Sequence, residues 1–166
     1  MVAMQSTAVA GNGYAPRALN PHEYRTLERL TDLIIPSDGN SPGARDAAAA
    51  VWIDLLATQN AQLLAIYTGG LAWLDGAMRQ RGAEDFLTAS EAQQRLLLDL
   101  LAYKKNQRPD LTPGIRFFDW ARRMTVDAFY TSPVGITEVG YRGNGFLREF
   151  KVPADVMEHI DQRSPR

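Results

Sequence analysis

The sequence predicts an all-α protein, a bundle of about five helices with a long irregular C-terminal segment rich in glycine, proline and aromatic residues. The prediction depends on apolar residues that recur at helical spacing, such as Tyr24, Leu27, Leu30 and Ile34. No convincing alternation of apolar and polar residues indicates a strand, and no repeat of fixed period is visible. At 166 residues, of which 45% are hydrophobic and 22% charged, the chain is long enough to bury a core.

The chain is expected to form one domain. Residues 1–18 include a run of small, weakly polar side chains and are predicted to be a flexible leader or the remnant of a signal, although no export signal is visible. Residues 19–166 are predicted to form a single helical domain. Within it, residues 129–153 are predicted to be a largely irregular segment that binds a partner.

The first two helices are predicted from their capping residues. Asn20 is a favoured cap, Pro21 suits the first helical position and Glu23 can reach back to the cap amide. The first helix should end before Pro36, because the residue that precedes a proline avoids helical geometry. The turn-rich loop that follows predicts a second helix capped at Ser41-Pro42.

The remaining helices are predicted from apolar stripes. An apolar stripe from Leu63 to Met78 indicates a third helix, in which the pair Gly69-Gly70 suggests a tight crossing with another element. A fourth helix should open at the capping-box spacing of residues 88–91. Thr112-Pro113 should start a last long helix with one apolar face, and residues 154–160 a short one.

Composition excludes several functions. A net charge of −1 and a pI near 6.1 give no positive field that would hold nucleic acid or an anionic membrane. The absence of cysteine removes disulfides, thiolate nucleophiles and iron–sulfur ligation. No window approaches the length of an apolar membrane-spanning helix, so direct membrane insertion is not expected.

No catalytic, cofactor-binding or metal-binding residue is predicted in this chain. Its two histidines, His22 and His159, lie far apart and have no neighbouring donors in the sequence that would complete a metal site. The glycines at 140, 143 and 145 lack the spacing of a dinucleotide-binding loop, so we expect neither a flavin nor a nicotinamide in this chain.

Large aromatic residues are concentrated late in the chain, between residues 117 and 150, where glycines and a proline shape the backbone. Tyrosine and phenylalanine are suited to anchor protein interfaces. We therefore predict a partner interface in this region. Its candidate residues are Phe129, Tyr130, Pro133, Gly135, Gly140, Tyr141, Arg142, Gly143, Asn144 and Phe146.

Two blocks carry a resemblance to a known family. Residues 30–54 (LTDLIIPSDGNSPGARDAAAAVWID) and residues 128–144 (AFYTSPVGITEVGYRGN) resemble the signature blocks of the gluconate 2-dehydrogenase subunit 3 family. The resemblance extends from residue 19 to about residue 150. In the first signature block the matching positions, interpreted as a structural motif, are Asp32, Pro36, Asp38, Pro42, Gly43, Ala44 and Asp54. In the second they are Phe129, Tyr130, Pro133, Gly135, Gly140, Tyr141, Gly143 and Asn144.

The resemblance implies a small, helical, non-catalytic subunit of a bacterial flavin-dependent dehydrogenase that acts on sugars or sugar acids. The catalytic partner would be a flavoprotein of the glucose–methanol–choline (GMC) oxidoreductase type that carries FAD, often with a cytochrome c subunit as electron acceptor. The resemblance also implies that the small subunit helps its partner to fold and to leave the cytoplasm, so a periplasmic location is expected. The sequence itself shows no twin-arginine leader, because Arg122-Arg123 lies inside a predicted helix, and a cytoplasmic location is the alternative.

Two other functions remain open at the level of sequence. The chain could be a helical adaptor or regulatory homodimer that uses residues 117–150 as its self-interface. It could also be a stand-alone helical enzyme that uses Asp or His side chains. The substrate of a dehydrogenase complex is not readable from this chain, because it would be selected in the pocket of the partner.

Overall fold

The computed structural model describes residues 13–141, 143 and 151–163. These residues form seven α-helices and one short 3₁₀ helix and contain no strand, which confirms the predicted all-helical class. None of the described helices has the length and hydropathy needed to cross a membrane. The elements are α1 (Pro21–Ile34), α2 (Ala49–Ala57), α3 (Ala61–Arg79), α4 (Glu91–Ala102), the 3₁₀ helix (Lys104–Asn106), α5 (Thr112–Tyr130), α6 (Pro133–Glu138) and α7 (Ala154–Arg163).

Helix α1 begins and ends as the sequence predicts. The Asn20 side chain accepts the backbone N–H groups of His22 and Glu23, each at 2.9 Å. In return, the Glu23 carboxylate accepts the backbone N–H of Asn20 at 2.9 Å. This reciprocal pair is the predicted capping box, and Pro21 lies in the first turn. The helix stops before Pro36, as expected.

Helix α2 begins later than the sequence predicts. Pro42 was expected in its first position, with Ser41 as the cap, but the first helical residue is Ala49. The residue before it, Ala48, has a left-handed φ of 52°. An α-helix cannot continue through that conformation, so residues 36–48 form a loop longer than predicted.

Helix α4 uses a cap two residues beyond the predicted one. Ser90 Oγ accepts the backbone N–H of Gln93 at 3.3 Å, and Gln93 Oε1 accepts the backbone N–H of Ser90 at 3.0 Å. Thr88, the predicted cap, forms a local turn instead and donates its N–H to Asp85 at 2.7 Å. The sequence predicted a capping box in this segment correctly, but the box begins at Ser90 and not at Thr88.

Helix α5 is the central element and packs against α1, α2, α3, α4 and α6. Its predicted apolar face is buried, including Phe117, Phe118 and Ala121. A Cβ atom added at Gly70 of α3 would overlap the ring of Phe117 on α5. The close approach of the two helices at this position confirms the predicted tight crossing. The neighbouring Gly69 has no such contact, since nothing lies within 4 Å of the same position.

The C-terminal segment is less irregular than predicted. Helix α5 ends at Tyr130, and Pro133 occupies the first turn of a separate short helix, α6, in which Ser132 Oγ accepts the backbone N–H of Gly135 at 3.0 Å. Helix α7 confirms the short helix that the sequence predicts near its end. All described residues from 151 to 163 are exposed to solvent.

Candidate partner interface

The two signature blocks, distant in sequence, meet at the C-terminal end of α5. Ser41 Oγ in the loop of the first block donates a hydrogen bond to Glu138 Oε1 at the end of α6, at 2.8 Å. Ala44, Ala49 and Ala128, drawn from both blocks, form a small buried cluster. The resemblance in sequence therefore corresponds to one region of the structure.

The loop of the first block is fixed by hydrogen bonds to backbone groups. Asp38 Oδ1 accepts the N–H groups of Asn40 at 2.9 Å and of Ser41 at 2.8 Å, and these bonds lower the pKa of Asp38. The N–H of Gly43 is bound by Asp46 at 2.7 Å. A Cβ at Gly43 would lie 2.7 Å from the carbonyl oxygen of Ile35, so only glycine fits there.

The structure places the other motif positions of the first block on α1 and in the loop that follows it. Asp32 forms an ion pair with Arg29 at 3.5 Å on the surface of α1. Pro36 is exposed just after α1, and Pro42 is half-buried in the following loop. The assignment of these positions as a structural motif stays a prediction.

Asp54 is fully buried and holds the chain that leads into α1. Its carboxylate accepts the N–H groups of Arg17 at 2.7 Å, Ala18 at 3.2 Å and Leu19 at 2.9 Å, and the hydroxyl of Tyr14 at 2.7 Å. Burial, together with the bond to Asp54, raises the pKa of Tyr14 to about 12.

These hydrogen bonds hold residues 14–18 against the bundle, which corrects the leader boundary predicted at residue 18. Residues 1–12 lie outside the described part of the chain.

Two residues of the predicted interface are buried in the bundle. Phe129 is only 3% exposed and packs edge-to-face against Tyr130, with ring centroids 5.0 Å apart. Gly135 lies directly against the backbone of Phe129, where a Cβ would overlap the carbonyl oxygen. The prediction of surface anchors at these two positions was wrong, because residue type alone did not show which sides of α5 and α6 face inward.

The rest of the predicted interface that the structure describes is exposed. Tyr130 is 49% and Tyr141 61% exposed, and Pro133 is also accessible. Gly140 and Gly143 have positive φ values of 66° and 73°, which favour glycine. The interface role of these residues stays a prediction. The remaining candidates, Arg142, Asn144 and Phe146, lie outside the described residues.

One polar contact was missed by sequence reasoning. His22 Nε2 lies 2.8 Å from Asp75 Oδ2, and Asp75 Oδ1 accepts the backbone N–H of Phe86 at 3.0 Å. The largely buried Asp75 therefore joins α1, α3 and the loop before α4. Its partners lie 53 and 11 residues away in the sequence, so spacing within one helix gives no signal for this contact.

The described residues contain neither a cluster of metal-ligating side chains nor a dinucleotide-binding unit. Among them, no group of three or more His, Asp or Glu side chains is placed to hold a metal ion. They also lack a strand, and therefore the strand–loop–helix unit that binds dinucleotide phosphates. His159, the second histidine, lies exposed on α7.

Comparison with known proteins identifies the family. A family model described as gluconate 2-dehydrogenase subunit 3 matches residues 21–146, a range that includes both signature blocks. No curated protein matches significantly, and neither does any solved structure. Because the family model covers most of the chain, the chain belongs to the gluconate 2-dehydrogenase subunit 3 family.

Proposed function

We propose that this chain is the non-catalytic small subunit of a flavin-dependent dehydrogenase that oxidises sugars or sugar acids, and that it binds and stabilises the catalytic subunit. Family membership carries the proposal, because the family is described as a subunit of gluconate 2-dehydrogenase. The catalytic partner would be a GMC-type flavoprotein that holds FAD, and a cytochrome c subunit could accept its electrons. The complex would work in the periplasm.

The exposed face beyond α5 supports a binding role. Tyr130 and Tyr141 present aromatic rings to solvent, and Val139 between them is 56% exposed. Large amphipathic side chains that stay exposed in an isolated subunit are typical of contact residues in an interface. Phe129 and Gly135, which belong to the same segment, are buried and attach this exposed face to the helical bundle.

Binding would stabilise the partner by mass action. A subunit that binds only the folded catalytic chain shifts the folding equilibrium of that chain toward the native state. The small subunit needs no reactive group for this function. We expect it to take part in neither proton transfer nor electron transfer.

The proposal is tested by producing the catalytic subunit with and without this chain. Co-expression should raise the yield of soluble catalytic subunit and its bound flavin, measured by flavin absorption at equal protein concentration. An unrelated helical protein of similar size serves as the control and should have no effect. A catalytic subunit that is equally soluble, FAD-loaded and active when produced alone would contradict the proposal.

A further inference from the structure

An apolar groove follows the seam between α3 and α5. It has two adjoining sections of about 360 and 470 Å³, and Ile66 and Trp120 border both of them. Trp120 is 46% exposed, and Phe117 contributes to the wall beside it. No described part of the chain covers the groove. An exposed tryptophan beside an apolar groove is typical of a docking site for another segment.

Helix α7 presents an apolar stripe that is also without a partner. Val156, Met157 and Ile160 share one side of the helix and are 43%, 45% and 46% exposed. Every residue of α7 is exposed, so the structure shows the helix undocked. A helix of 10 residues is marginal in water unless its apolar face is buried against something.

The groove and α7 match in length. Along α5 the groove extends from Thr112 to Met124, which corresponds to a rise of about 18 Å. Helix α7 has 10 residues and is about 15 Å long. A helix of this length fits within the groove and occupies most of it.

The charges at the edges also match. On the α5 side the groove is bordered by Arg116, which forms no ion pair within the described residues. The α3 side carries the neutral Gln62. On α7, Asp161 lies one turn from Met157 and therefore flanks the apolar stripe. With the stripe in the groove, Asp161 can face Arg116.

We propose that α7 docks in the α3–α5 groove of its own chain, with Val156, Met157 and Ile160 against Trp120 and with Asp161 toward Arg116. Residues 139–153, which join α6 to α7, reach roughly 50 Å when extended. Trp120 lies ten residues before the end of α5, about 15 Å along that helix, so the groove is within reach. A tether of this length gives α7 a millimolar effective concentration at the groove, which favours its own chain over a second copy.

The natural absence of cysteine permits a direct test on the isolated full chain, independent of the dehydrogenase function. Two cysteines are introduced, Gly69→Cys in the groove, where nothing lies within 4 Å of the added Cβ, and Ile160→Cys on α7. The control pair combines Ile160→Cys with Leu96→Cys, a position on α4 that is 65% exposed and outside the groove. Disulfide formation under mild oxidation is followed on non-reducing gels, and circular dichroism checks that each variant is helical.

Docking predicts that the groove pair forms an intramolecular disulfide at least tenfold faster than the control pair, at a rate independent of protein concentration. Adding Arg116→Glu should slow the groove pair severalfold, and adding Asp161→Arg to that variant should restore the rate. Equal rates for the two pairs would overturn the proposal, and so would disulfide-linked dimers that increase with concentration. A spin-label distance between the same two positions gives a second measurement that needs no oxidation.

Discussion

The two signature blocks meet at one end of α5 but use their residues in opposite ways. In the first block Asp38 and Asp54 bind backbone N–H groups, Asp38 at the surface of the loop and Asp54 in the interior. In the second block, beyond the buried Phe129, Tyr130 and Tyr141 are left in solvent. One family pattern thus contains residues that hold the fold and residues available for contact. Burial and hydrogen bonds to the backbone distinguish the residues that hold the fold, whereas position within the pattern does not.

Removing the buried carboxylate should cause the largest loss. In Asp54→Ala three backbone N–H groups and the Tyr14 hydroxyl lose their acceptor inside the protein. We expect the free energy of unfolding in urea to fall by about 3–5 kcal/mol. Asp38→Ala, which removes an exposed carboxylate from the same block, should have a much smaller effect. Equal losses for the two variants would contradict the distinction drawn within the first block.

A glycine pair in α3 gives a matched comparison of a packed and an open position. Gly70→Ala places a methyl group in the ring of Phe117 and should lower the free energy of unfolding by about 2 kcal/mol. Gly69→Ala adds the same group where nothing lies within 4 Å, so helix propensity should raise stability by about 1 kcal/mol. Thermal and urea unfolding measure both changes. Opposite signs are the expected result, and a loss at both positions would show that the crossing is tight along its whole length.

Tyr67 should give a smaller, pH-dependent effect. Its hydroxyl is buried and has no hydrogen-bond partner within the described residues, so Tyr67→Phe should be neutral or stabilising by up to about 1 kcal/mol. Burial raises the pKa of Tyr67 above its ordinary value of 10.0. Because the folded state keeps this proton more tightly than the unfolded state, the stabilising contribution is complete below pH 10 and is lost as pH rises further. Unfolding curves above pH 10 should therefore show a smaller decline for Tyr67→Phe than for the natural chain.

The exposed face should contribute least to folding. Tyr141 is 61% exposed, so Tyr141→Ala should change the free energy of unfolding by no more than about 0.5 kcal/mol. Urea unfolding of the isolated chain checks this expectation. A loss comparable with that of Asp54→Ala would mean that Tyr141 belongs to the fold and not to a contact surface.

Local signals in the sequence predicted the helices well where a few neighbouring residues determine the start of the helix. Asn20, Pro21 and Glu23 define the start of α1, and Thr112-Pro113 opens α5. The start of α2 was predicted wrongly because Ala48 adopts a left-handed conformation. Alanine rarely adopts it, so the residue type gave no signal of it.

Long-range contacts were beyond the reach of sequence reasoning. Asp54 was identified as a motif position, but its partners lie 35 to 40 residues earlier in the chain. Likewise, the aromatic composition near the end of α5 predicted a contact surface without showing that Phe129 packs inward while Tyr130 packs on top of it. Which residues face the core depends on how helices cross, and that arrangement is a property of the whole bundle.

The most direct test of the central claim is the affinity of this chain for the GMC-type catalytic subunit, measured by isothermal titration calorimetry. Tyr141→Ala should weaken binding at least tenfold, as expected for an aromatic anchor in an interface. Tyr103→Ala, which alters a tyrosine that is 57% exposed after α4, is the matched control and should leave the affinity unchanged. Unchanged affinity for Tyr141→Ala, or an equal loss for Tyr103→Ala, would contradict the proposed binding face.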